Sequence, residues 1–201
     1  MIKNIIFDLG NVLINFRPIE FIESFTKDSK LSENFAEKIF FSDTWVNLDR
    51  GILSWRDAKN IFQAQHPDEQ LLIDFLFNNW KELLSPIKRN IQVLKYLKQE
   101  GFSIFILSNY IDEPFEYIKN KYDFFSLLDG LVVSFQEKLI KPEIQIYQIL
   151  VDRYNLIPNE SIFLDDHKKF LEPAKKLGIY TLLIQPQTDI KTELRKLKIL
   201  L

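Results

Sequence analysis

The stretch IIFDLGNVLINF, residues 5–16, decides the fold. Ile5, Ile6 and Phe7 make a short apolar run of the kind that forms a strand buried on both faces. The run stops at a carboxylate, Asp8, and the chain turns at once through Gly10 and Asn11. In an open parallel sheet, ligands sit beyond the carboxyl ends of the strands. An acid placed there is a candidate for chemistry, and the first question is what else reaches the same edge.

Working outward, five apolar runs rich in Ile, Phe, Val and Leu read as buried strands: Ile2–Phe7, Phe102–Leu107, Leu131–Val133, Ser161–Leu164 and Tyr180–Ile184. Helical patterns separate the last four. PIKRNIQVLKYLKQEG sets Ile87, Ile91, Leu94 and Leu97 on one face and ends on Gly101; FLEPAKKLG ends in the same way on Gly178. PEIQIYQILVDRYNL turns Ile146, Ile149 and Leu150 inward. Helices alternating with buried strands imply an α/β fold with a parallel sheet covered on both faces. Residues 16–85 hold helical patterns and no convincing strand, so they read as a helical cap inserted after the first strand. Ser54 with Asp57 caps the helix WRDAKNIFQAQ, His66-Pro67 ends it, and DEQLLIDFLFNNWKELL reads as the next. The core is then residues 1–15 and 86–201, closed by the amphipathic segment DIKTELRKLKILL.

At 201 residues, 46% hydrophobic and 27% charged, the chain has the composition of an ordinary globular protein. Its 26 basic residues nearly balance 28 acidic ones, and a net charge of -2 calls for neither nucleic acid nor an anionic membrane as partner. It has no cysteine, which excludes disulfides, thiolate nucleophiles and sulfur-ligated metals, so any metal must sit on oxygen or imidazole. MIKNIIFDLG lacks a signal-peptide cleavage site, and its apolar run is too short to span a bilayer, so a cytoplasmic protein is expected.

Reading off the polar residues that follow each apolar run gives Asp8, then Ser108 and Asn109, then Asp165 and Asp166, with Lys141 in the loop region after the third strand. Taken singly, Ser108-Asn109 reads as a turn or helix cap, and Lys141-Pro142 as a loop lysine ahead of a helix. As a group they would share one rim. Three acids there crowd negative charge unless a cation is present, and a hard divalent ion, Mg²⁺, is the economical partner.

FDLGNVL, ILSNY, LIKPEIQIY and IFLDDH stand in the order and spacing of the motifs of the haloacid dehalogenase-like hydrolases, and the resemblance covers nearly the whole chain. The cap phrase LDRGILSWRDA resembles that of the branch containing α-D-glucose-1-phosphate phosphatase. The resemblance implies a Rossmann-like core with a small helical cap, and hydrolysis of a small phosphorylated metabolite, a sugar phosphate, through an aspartyl-phosphate. It implies Asp8 as nucleophile and Mg²⁺ on Asp8, the Gly10 carbonyl and Asp166, with Asp165 as a direct or outer ligand. Lys141, the Ser108 hydroxyl and the Asn109 N–H would hold the phosphate. Relatives commonly carry a second aspartate two residues after the nucleophile to protonate the leaving group; here that place is Gly10. They also continue the acid pair with an Asn and a Gly where this chain has Phe170 and Pro173. Two other readings stay open: a dehalogenase, in which Asp8 attacks carbon without a metal, and a non-catalytic protein that binds a phosphorylated ligand. The cap residues that would choose a leaving group, among Asp43, Trp45, Asp49 and Arg50, and the oligomeric state are not legible from sequence.

Overall fold

The computed structural model describes residues 1–200, and the opening apolar run is the middle strand of its main sheet. In β1 (Asn4–Phe7) every residue after Asn4 is buried. The chain turns into a two-residue strand, β2 (Ile14–Asn15), and then runs through α1 (Pro18–Thr26), α2 (Ser29–Phe40), α3 (Asp43–Asp49), α4 (Trp55–Gln65) and α5 (Gln70–Asn79). It returns through an equally short β3 (Ser85–Pro86). β2 and β3 pair antiparallel, Ile14 opposite Pro86, and the Asn15 side-chain amide donates to Ser85 Oγ at 2.9 Å. A pair this short carries no alternating pattern, which is why the sequence does not announce it.

After β3 the alternation takes over: α6 (Lys88–Gln99), β4 (Ser103–Ser108), α7 (Asp112–Lys121), β5 (Gly130–Val133), α8 (Ser134–Glu137), α9 (Ile144–Arg153), β6 (Ser161–Asp165), α10 (Lys168–Lys176), β7 (Tyr180–Leu183) and α11 (Ile190–Lys196). The strands form one parallel sheet in the order β5-β4-β1-β6-β7, so the Rossmann-like α/β expectation holds and all five expected strands form. Phe7 lies opposite Ile106 on one side and Leu164 on the other. That register brings Asp8 level with Asp165 at the same edge of the sheet.

Local chemistry sets the helix ends. Ser54 Oγ accepts from the Asp57 N–H at 3.1 Å and starts α4, while Gly101 and Gly178, at φ +90° and +85°, close α6 and α10 in a backbone shape other residues resist. Side chains alternate across the sheet and feed two apolar clusters. Ile5, Phe7, Ile104, Ile106, Ile162 and Leu164 point to one face and pack with Phe35, Phe62 and Trp80 from the segment between β2 and β3, and with α6, α7 and α11. Ile6, Phe105, Leu107 and Phe163 point to the other and pack with Tyr147 and Leu150 of α9 and Leu171 and Ala174 of α10. The inserted helices therefore share one continuous core with the sheet. Trp55 meets Trp45 and Trp80 edge-on at 6.2 and 5.9 Å, so the tryptophans pack as core. No helix among the described residues is long and apolar enough to cross a membrane.

Candidate active site

Three strand ends converge. Asp8 directly follows β1, with its N–H on the Leu164 carbonyl at 2.9 Å; Ser108 is the last residue of β4 and Asp165 the last of β6. Lys141 arrives from the turn between α8 and α9, and its ammonium lies 2.6 Å from Asp165 Oδ2 and 3.0 Å from Asp8 Oδ1. Asp8, Ser108, Lys141 and Asp165 are all at most 5% exposed. Lys141 is fixed from behind as well: the Asn109 side chain accepts from the Lys141 N–H at 2.7 Å and donates to the Lys141 carbonyl at 3.1 Å. Asn109 and Lys141, 32 residues apart, are thereby clamped backbone to side chain.

Asp166 sits half-buried beside this group. Its Oδ2 accepts from Asn11 Nδ2 at 3.2 Å, and Asn11 Oδ1 accepts from the Phe16 N–H at 3.0 Å, so Asn11 ties the first loop both to itself and to the end of β6. Asn11 adopts φ +50°, a left-handed shape that asparagine tolerates better than most residues. Carboxylate oxygens of Asp8, Asp165 and Asp166 all lie within 4.8 Å of one another, a spacing at which one cation can serve all three. Asp8 Oδ1 is buried with no aligned hydrogen-bond donor, since Lys141 approaches it off the bonding direction. An oxygen-only cluster with an orphaned buried acceptor fits a hard divalent ion.

The charges explain one another. Burial pushes Asp8 up to about 7, against the pull of Lys141, with Asp165 and Asp166 adding to the rise and the Ser108 hydroxyl opposing it. Burial also raises Asp166, with His167 and Asn11 opposing. Burial alone would lower Lys141, yet Asp165 and Asp8 outweigh it and hold the ammonium above its ordinary value. Three carboxylates against one ammonium leave a formal excess of two negative charges, which a divalent cation would neutralise.

Around the rim the structure adds contacts that the sequence does not show. The rings of Phe163 and Phe170 lie 5.3 and 4.9 Å from the Lys141 ammonium. Phe170, at the place where relatives carry an asparagine, thus packs on the lysine, and the Tyr147 hydroxyl pins it by donating to its carbonyl at 2.6 Å. His167, 58% exposed, keeps Nε2 3.8 Å from Asp166 Oδ2, while its N–H donates to Asp165 Oδ1 at 2.7 Å. From the helical side, Asp49 at the end of α3 lies in the field of Lys141 and Asp8. Gly10 offers no side chain, and a Cβ built on it would meet nothing within 4 Å. A cleft of about 930 Å³ opens beside the rim, between the stretch Leu48–Asp57 and Ile111–Glu113. None of Asp8, Asp165 and Asp166 lines it; its walls include Leu48 and Gly51, which flank Asp49 and Arg50. Asn11 has a local signal, as an asparagine in a Gly-Asn turn; the placement of Phe163, Phe170, His167 and Asp49 depends on contacts across the fold.

A parallel sheet with an acid after its central strand, a lysine bridging to a second acid and a helical segment over the same edge define a class of hydrolase. The chain belongs to the haloacid dehalogenase-like hydrolase family, whose model matches residues 5–184. Among its relatives is the sesquiterpene phosphatase astK of Aspergillus oryzae, 26% identical over 97% of this chain and 96% of that protein. D-ribitol-5-phosphate phosphatase of Bacteroides thetaiotaomicron is 24% identical over 96% of this chain and 97% of that one. Bifunctional epoxide hydrolase 2 of Rattus norvegicus is 32% identical over 79% of this chain, which spans 29% of that longer protein. The fold is that of a haloacid dehalogenase family enzyme of Bacteroides thetaiotaomicron crystallised with magnesium and inorganic phosphate, at a TM-score of 0.78 and 23% identity, covering 96% of this chain and 99% of that one.

Proposed function

We propose that this hydrolase is a Mg²⁺-dependent phosphomonoesterase acting on a small phosphorylated metabolite, a sugar phosphate, through an aspartyl-phosphate on Asp8. One observation carries the reading: Asp8, Asp165 and Asp166 bring carboxylate oxygens within 4.8 Å of one another in a buried place that holds one ammonium. A dehalogenase attacking carbon needs no such excess of acid. Asp8, Asp166 and the Gly10 carbonyl would hold Mg²⁺, with Asp165 as a direct or outer ligand. When bound, the ion supplies the positive charge that lets an ionised carboxylate meet a phosphate dianion.

The chain's own residues do the rest. Asp8, fixed by its N–H on β6, attacks phosphorus in line while the ester oxygen departs on the far side. Lys141, locked by Asp165 and by the Asn109 clamp, pairs with the phosphoryl oxygens, and the Ser108 hydroxyl and Asn109 N–H donate to them. Water then attacks phosphorus and releases Asp8. In this reading residues 1–15 and 86–201 are the catalytic core, and residues 16–85 are a cap that covers the leaving group. The two full-length phosphatase relatives are named for leaving groups of opposite polarity, a sesquiterpene and a polyol. The cleft beside the rim carries Ser54, Arg56, Asp57, Asn78, Asp112 and Glu113, a lining that suits a hydroxylated molecule better than a hydrocarbon.

The test is a panel of phosphomonoesters with Mg²⁺ and with a chelator, run beside Asp8→Asn. Phosphate release that needs Mg²⁺ and falls by roughly 10⁴-fold or more in the variant is the expected result. Halide release from a 2-haloacid that survives the chelator, with no phosphate release, would replace this reading by the dehalogenase one.

A further inference from the structure

A phosphomonoesterase that splits an alkyl ester must deliver a proton to the departing oxygen, and Gly10 has none to give. The space is there, since a Cβ at Gly10 would touch nothing, so the omission is not forced by crowding. The proton has to come from another group in the field of Asp8. Lys141 and Asp165 are committed to each other, and Asp166 takes the Asn11 amide. The Tyr147 hydroxyl donates to the Phe170 carbonyl. The Tyr110 hydroxyl is buried without a partner, but burial and the nearby Asp8 charge push its pKa far above ordinary, which makes it a poor proton donor near neutrality.

Asp49 remains. Its carboxyl makes no hydrogen bond or ion pair with any described residue, and the charges acting on it are those of Lys141 and Asp8. Its position is nonetheless fixed, because the backbone around it is docked onto the segment that carries Lys141. The Ser134 hydroxyl donates to the Asp49 carbonyl and accepts from the Tyr110 N–H at 2.9 Å, two residues beyond Ser108. Arg50 donates to Glu143 Oε2 at 3.0 Å, two residues beyond Lys141, and Lys138 donates to the Gly51 carbonyl. Three such contacts hold the backbone that carries this unpaired carboxyl against the segment that carries Lys141.

We infer that the Asp49 carboxyl is the proton donor to the leaving group, standing in for the acid absent at position 10. The inference rests on the phosphohydrolase reading above. Burial lifts Asp49 to about 7, with Lys141 opposing and Asp8 adding, so the group holds and yields a proton near neutrality, as a general acid must. In the first step the Asp8–phosphorus bond forms, the phosphorus–ester bond breaks with its electron pair on the ester oxygen, and the Asp49 proton converts that oxygen to an alcohol. In the second, the Asp49 carboxylate takes a proton from the attacking water as the new phosphorus–oxygen bond forms, and Asp8 leaves as a carboxylate. Both groups end as they began.

The test measures kcat/KM for Asp49→Asn, with Asp49→Ser alongside, on the alkyl phosphate that the wild-type protein cleaves fastest and on 4-nitrophenyl phosphate, whose leaving group needs no proton. The expected loss is ~10²–10⁴-fold on the alkyl ester and less than about ten-fold on the aryl ester. The aryl rate also reports that each variant is folded. Adding Gly10→Asp to Asp49→Asn should recover at least about ten-fold on the alkyl ester. Equal loss on both esters, no loss on the alkyl ester, or a selective loss that Gly10→Asp leaves wholly unrepaired overturns the inference. No turnover of any ester by the wild-type protein, or full turnover by Asp8→Asn, overturns the phosphohydrolase reading instead.

Discussion

On the sheet side of the rim, Asp8, Ser108 and Asp165 hold their places because neighbouring parallel strands are in register. On the helical side, Asp49 and its neighbours are held by side chains reaching across 85, 87 and 93 residues of sequence: Ser134 to Asp49, Lys138 to Gly51 and Glu143 to Arg50. The first kind of placement is a cooperative ladder of backbone bonds that survives many side-chain changes. The second is a set of individual contacts, each of which one substitution can alter.

The sharpest way to break this contrast is Lys141→Met. Lys141 is held by side chains, and removing its ammonium leaves Asp8 and Asp165 buried without compensation. A loss of about 3–5 kcal/mol in urea unfolding, together with loss of turnover, is expected; a variant as stable as wild type would mean that register alone sustains the buried acids. The next effect is in pH. Asp8 and Asp49 are both lifted from 3.8 to about 7, so the folded protein binds their protons more tightly than the unfolded chain does. The stabilisation this gives is full below pH 3.8 and is lost as pH rises through 7. Metal-free protein should therefore melt lower at pH 8 than at pH 5, on the order of 5 °C, with part of the decline absent in Asp8→Asn. Mg²⁺ competes with protons for the same oxygens, so it should raise Tm more at pH 8 than at pH 5. Calorimetric scans with and without the ion would show either trend reversed.

Asn11→Ala comes next. It places alanine at φ +50° and removes the bonds to Asp166 and the Phe16 N–H, for an expected ~1–2 kcal/mol and a weaker Mg²⁺ titration by calorimetry. Unchanged Mg²⁺ affinity would show that Asp166 needs no help from the first loop. The smallest effect is on the helical side: Ser54→Ala removes the cap of α4 and should cost about 1 kcal/mol, read as a modest fall in Tm. A loss several times larger would make that side as cooperative as the sheet.

The same contrast governs what can be read from sequence. Asp8, Ser108 and Asp165 are legible because an apolar run and the polar residue ending it are adjacent in the chain, and the sheet converts that adjacency into a shared edge. Lys141 joins that rim only as part of the group, since nothing local distinguishes it from a loop lysine before a proline, and its role comes from the resemblance. Asp49 can be named as a candidate but not placed, because its backbone is docked by the Ser134 hydroxyl, at the start of α8 and 85 residues away. Phe170 reads as a departure from the family pattern, and its use appears only when its ring is found 4.9 Å from the Lys141 ammonium. The β2–β3 pair is invisible for the opposite reason, being too short to bear a period.

That small ribbon has an evolutionary reach out of proportion to its size. Because the inserted helices leave and return through side-by-side strands, with Asn15 hydrogen-bonded to Ser85, the sheet meets them at one seam. A different helical insert whose ends met at that seam would leave the strand order and the positions of Asp8 and Lys141 untouched, and loop-closure entropy grows only slowly with its length. Deletion without replacement is another matter, since Phe35, Phe62 and Trp80 belong to the same continuous apolar cluster as Ile5 and Phe7 of the sheet. The architecture permits exchange of the insert and penalises its loss, so new substrates can be tried on an old catalytic edge.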